Sequence, residues 1–314
     1  MAEPDTTPPQ SASLWTILKQ TISESAADDI SGLGAALAYY AIFAITPLVL
    51  LSIAVASFFL GEEAARGRLQ EQLRGTLGEY GAQAVQALVG SASHHGQSGV
   101  IAVTVGIVTL LFGASAVFTQ LKDSLNLIWG VTERKKGVKV FVLNRLVSYL
   151  MVLLIGFLLV AAAIASAVVA AALKFLHTTP SHVHLIDFGI SFVMLTLLFG
   201  IIYKVLPDVK LAWKNVALGA AVTSVLFSLG KMAIGLYIGR GGLANSYGAA
   251  GSLVVLMVWV YYSAQIFFFG AEFTQVYSKL RHIPSEPADT AVLCSEAEAA
   301  GEAPHPTQKA TAVG

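Results

Sequence analysis

The stretch Val260-Tyr261-Tyr262-Ser263-Ala264-Gln265-Ile266-Phe267-Phe268-Phe269-Gly270-Ala271-Glu272 lies inside an apolar run, about 248–276, whose one charged group is Glu272. A helix needs about 20 apolar residues to cross the hydrocarbon core of a bilayer. This run is long enough, and five others pass the same test: about 33–60, 99–121, 146–173, 185–206 and 213–238. In hydrocarbon each backbone amide must bond within its own helix or within a closed barrel. The runs are continuous and lack the strict alternation of barrel strands. The expected fold class is therefore all-α, a polytopic integral membrane protein built as a bundle of six transmembrane helices.

Composition agrees with that solvent. Of 314 residues, 55% are hydrophobic and 12% charged, against about 25% charged in soluble proteins. Nineteen basic and nineteen acidic residues cancel, so no global charge favours nucleic acid. The single cysteine, Cys294, excludes an internal disulfide framework.

Outside the spans, residues 1–32 form a polar N-terminal segment without the cationic start of a cleaved signal, since Glu3 and Asp5 stand there. Within it Leu14, Leu18 and Ile22 recur every four residues beside Trp15. That spacing predicts an amphipathic helix, either lying at the membrane interface or packed on the bundle. The transmembrane domain covers 33–280. Residues 281–314, with Pro284, Pro287, Pro304 and Pro306 among Glu and Ala, are expected to be a disordered tail. In the loop 61–98, Leu69, Leu73, Leu77, Tyr80, Ala84 and Leu88 predict a further amphipathic helix on the opposite side of the membrane. Thirteen Lys and Arg residues fall on the side of the termini and six on the other, which places both termini in the cytoplasm.

Ionisable residues at membrane depth are costly and point to function. Glu272 heads that group. Tyr261, Gln265, Glu272 and Gln275 share one helical face, which should turn inward because lipid offers no hydrogen-bond partner. A second stripe, Ser115, Thr119, Lys122 and Asn126, lies on the second span. With both stripes near the inner interface, an ion pair of Glu272 with Lys122 or with Arg145 is expected. It either lines a transport pathway or merely locks helices together. Pro47, in Ile45-Thr46-Pro47, removes a helix hydrogen bond and predicts a kink, as hinge or as passive bend.

Several chemistries have no residues to carry them. There is no Gly-x-x-x-x-Gly-Lys-Ser/Thr phosphate loop, no His-Glu-x-x-His helix and no Gly-x-Ser-x-Gly elbow. His182-x-His184 alone is short of the three or four ligands a zinc site needs. No metal, cofactor or enzymatic activity is expected.

Four blocks resemble the YihY/BrkB family of bacterial inner-membrane proteins. They are Ala35-Ala36-Leu37-Ala38-Tyr39-Tyr40-Ala41-Ile42-Phe43-Ala44-Ile45-Thr46-Pro47, Phe118-Thr119-Gln120-Leu121-Lys122-Asp123-Ser124-Leu125-Asn126-Leu127-Ile128-Trp129, Leu206-Pro207-Asp208 with Trp213-Lys214, and Tyr247-Gly248-Ala249-Ala250-Gly251-Ser252 running on to Gly270-Ala271-Glu272-Phe273. The resemblance covers about 30–280. It implies six spans in the bacterial inner membrane. Members of the family were once labelled ribonuclease BN and some are called virulence factor BrkB; transport roles have also been proposed. RNA cleavage needs an acid–base or metal constellation with a basic groove, which the short inner loops do not offer. The expectation is a permease-like protein that exports or exchanges a solute, ion or lipid-like amphiphile. Its competitor is a non-transporting envelope scaffold. Membrane lipids are the expected partners, nucleic acid is not, and a homo-oligomer is left open.

Overall fold

The computed structural model describes residues 13–60, 63, 67, 70, 82–83, 85–86, 100–133, 146, 150, 180–241, 251–281, 286–288 and 291–295. Helices dominate: α1 (Leu14–Ala27), α2 (Ile30–Leu60), α3 (Val100–Ile128), α4 (Pro180–Val205), α5 (Trp213–Gly241) and α6 (Gly251–Leu280). Two of them, over Trp213–Ile234 and Leu253–Leu280, are long and apolar enough to cross a membrane, and a third span is formed if the bent pair Leu14–Ala27 and Ile30–Ile45 is taken as one. The third expected span lies almost wholly outside the described residues, as do the leucines of the loop 61–98. Pro47 falls inside α2, which is helical on both sides of it.

α6 is the hub. It packs along α2 and α5 and also carries α1, while α3 lies against α2 and α4 against α5. Close approach of α5 to α6 depends on missing side chains. A Cβ on Gly219 would lie 2.8 Å from Thr274 Cβ and overlap its hydroxyl, and one on Gly270 would lie 2.9 Å from Thr223 Cβ. Small residues of this kind substitute for the hydrophobic drive that lipid removes. Hydroxyls of α4 tie it to both of these helices: Thr196 Oγ1 donates to Ser224 Oγ of α5 at 3.1 Å, and Tyr203 Oη donates to the Phe267 carbonyl of α6 at 2.6 Å.

α1 and α2 meet at a 62° bend. Asp29 makes it, with φ of 47°. That left-handed backbone ends α1, and the same residue begins α2, its Oδ1 accepting from Gly32 N at 3.1 Å. Ile17 and Thr21 bury one face of α1, while Leu14, Trp15, Leu18 and Ile22 stand exposed on the other, Trp15 at 71%. A helix stands where the Leu14, Leu18 and Ile22 spacing predicted one, and it packs against α6 with that stripe left exposed.

The tail corrects one expectation. Among the described tail residues, β3 (Glu286–Pro287) pairs with β2 (Val209–Lys210), and β4 (Ala291–Leu293) pairs with β1 (Val131–Glu133), both antiparallel. Composition suggested disorder, yet Ala291 is buried, paired opposite Glu133 while Leu293 lies opposite Val131, and the edges of β1 and β2 gain partners.

Candidate functional site

Glu272 sits on the C-terminal half of α6 with 0% of its surface exposed, and no donor reaches either carboxylate oxygen. What faces it is a second carboxyl, Asp28, from the bend between α1 and α2. Glu24, one turn earlier on α1, and Lys279, two turns later on α6, add their charges to the pair. Two ionised carboxylates can only accept, so a hydrogen bond joins Asp28 to Glu272 only when they hold a proton between them. Burial pushes the Asp28 carboxyl above its ordinary range and Glu24 adds to the rise, while the bond to Glu272 and the charge of Lys279 pull it back.

The expected partner of Glu272 is engaged elsewhere. Lys122 Nζ lies 2.9 Å from Asp208 Oδ2, and Asn126 clasps the same residue, donating through Nδ2 at 3.0 Å and accepting from Asp208 N at 2.8 Å. Asp208 follows α4, so this cluster ties α3 to the connection that carries β2. The Glu272–Lys122 ion pair is therefore not formed; Arg145 lies outside the described residues. Thr119 is exposed rather than lining an interior, whereas Ser115 is buried with its hydroxyl unpartnered.

On α6 the predicted polar face is inward but locally paired. Gln265 Nε2 donates to Tyr261 Oη at 2.9 Å and to Ser31 Oγ at 3.3 Å, which joins α6 to α2. Gln275 Nε2 donates to the Ile128 carbonyl at the end of α3, leaving its own buried Oε1 without a donor. Sequence reasoning missed Asp28 and gave Asp208 no role. The signal for Asp28 was its position, an acidic residue directly between an amphipathic helix and a span. Among the described residues no three His, Cys, Asp or Glu side chains converge to hold a metal ion.

Long apolar helices, glycine-mediated contacts and a buried carboxylate among helices define a helical membrane protein. The profile of a family described as Virulence factor BrkB matches residues 21–291, and the chain belongs to that family. A UPF0761 membrane protein of Vibrio cholerae is 30% identical over 57% of this chain and 59% of its own length. One of Vibrio parahaemolyticus is 28% identical over 85% of this chain and 83% of its own. The chain spans somewhat over half the length of the first of these relatives. No solved structure matches it.

Proposed function

We propose that this chain is a six-span permease of the bacterial inner membrane, with both termini in the cytoplasm, that exports or exchanges a solute, ion or lipid-like amphiphile and performs no enzymatic reaction. One observation carries the reading: Glu272 is wholly buried on the hub helix with neither oxygen satisfied by a donor. A carboxylate kept there for packing alone would be expected to find a cation or amide, because an uncompensated buried charge costs several kcal/mol. Glu272 instead faces another carboxyl, an arrangement suited to taking up and releasing positive charge. Asp28 replaces Lys122 as its partner. The Lys122–Asp208–Asn126 cluster serves as a lock at the inner face.

Purified protein in liposomes loaded with labelled solutes and short-chain lipids tests the proposal. A permease releases or flips at least one class faster than protein-free vesicles. A scaffold moves none of them and retains a stable partner after mild solubilisation.

A further inference from the structure

The circumference of α1 divides into three arcs. At about 3.6 residues per turn, Ile17 and Thr21 fall on one arc, Leu14, Trp15, Leu18 and Ile22 on the arc beside it, and Thr16, Lys19 and Ser23 on the far side. The first arc is buried, on a helix that packs against α6. The second is open, with Leu14 78% and Ile22 56% exposed. We propose that this open apolar arc is seated in the boundary between headgroups and acyl chains of the bilayer leaflet at that end of the bundle. α1 then lies between protein and lipid, with its third arc towards water.

Water is the wrong neighbour for the open arc, because four large apolar side chains stand side by side on it with no described residue covering them. The path of the chain selects lipid as the cover. α2 follows α1 directly and runs for 31 residues without one charged side chain. Its Tyr39 and Phe43, in edge-to-face contact at 5.1 Å, are also exposed, as a helix surface bathed in acyl chains would be. The 62° bend turns α1 away from that axis, so that a crossing α2 leaves α1 nearer to the membrane plane than to its normal.

The side chains of α1 suit that level of the bilayer. Trp15 supplies the amphipathic ring favoured at the headgroup boundary. Lys19, on the polar side, can lay its stem along apolar surface and hold its ammonium in water. Thr21, on the arc against the protein, settles its hydroxyl within the helix by donating to the Ile17 carbonyl at 2.8 Å. Lys19 and Glu24 are the charged residues of α1 and they cancel. The seating therefore rests on apolar area rather than on attraction to anionic headgroups. Held by α6 on one side and by lipid on the other, α1 is fixed at the membrane surface without crossing it.

Spin-label accessibility in the full chain, reconstituted in nanodiscs of zwitterionic lipid, tests this. Cys294→Ser removes the native thiol; Leu18→Cys and Ile22→Cys then place labels on the open arc, and Ser23→Cys places one on the polar arc. Labels at the first two positions should be reached several-fold better by oxygen, which concentrates in hydrocarbon, than by a water-soluble nickel chelate. The third should show the reverse, and added anionic lipid should change neither. Nickel access at positions 18 and 22 equal to that at 23 would mean that the arc faces water, and overturns the proposal. Shielding of both from both reagents would mean that a second copy or another stretch of protein covers the arc, which overturns it too. So do labels that reach hydrocarbon only in anionic lipid. If the labelled variants do not fold, native fluorescence decides. Brominated acyl chains should quench a component that Trp15→Phe removes, and a chain with no such component contradicts the seating.

Discussion

Lys122 Nζ lies 2.9 Å from Asp208 Oδ2, with the two side chains 14% and 15% exposed. Because Asn126 also grips Asp208 through side chain and backbone, three polar groups fix the end of α3 to the segment after α4. Asp208→Ala removes the carboxylate from a largely buried ammonium. It should destabilise the protein by about 3 kcal/mol. Paired with Lys122→Met, the loss should be smaller than the sum of the single losses, as thermal unfolding in detergent will show.

Gly219 faces Thr274 across the closest part of the α5–α6 seam. Gly219→Ala drives a methyl group into the Thr274 hydroxyl and Cβ, and should cost about 1–3 kcal/mol through overpacking. Thr274→Ala in the same chain removes the hydroxyl and should recover part of that loss. If Gly219→Ala is neutral in a melting assay, the helices are not in the contact described.

How much of this was legible in the sequence depends on which interaction set each feature. The apolar runs announced α2, α3, α4, α5 and α6 because bilayer thickness and backbone satisfaction fix helix length locally. Glu272 was legible for the same reason: lipid gives a carboxylate nothing, so it had to turn inward. Its partner was not. Charge complementarity pointed to Lys122, but the chain path brings Asp28 to Glu272, and a like-charged pair is invisible to any rule that matches opposite signs. The tail escaped for a different reason. Ala291-Val292-Leu293 is too short to announce a strand, and it is a strand only because β1 offers an edge.

Deleting residues 286–314 exposes the partnered edges of β1 and β2 and uncovers the face over Val131 and Val209, both buried in the whole protein. The expected outcome is a melting temperature lower by about 5 °C. Limited proteolysis should also cut faster within 130–133 and 206–211 than in the full chain. Unchanged cutting would mean the tail is not seated there.

Asp28 titrates above its ordinary value of 3.8 in the folded protein, chiefly through burial. The folded state therefore holds that proton more tightly than the unfolded chain. The stabilisation is fully present below the unfolded value and is lost as pH rises through the elevated one. Relative to Asp28→Asn, the wild type should lose stability progressively from about pH 4 upward. Parallel stability–pH curves for the two proteins would contradict the placement of Asp28.

The most direct measurement is the pH dependence of flux in proteoliposomes for the wild type and Glu272→Gln, once a transported class is in hand. If Glu272 is the ion-sensitive group, wild-type flux varies with pH and the flux of a correctly folded Glu272→Gln protein no longer follows that profile. A folded Glu272→Gln protein that keeps the wild-type profile contradicts the account.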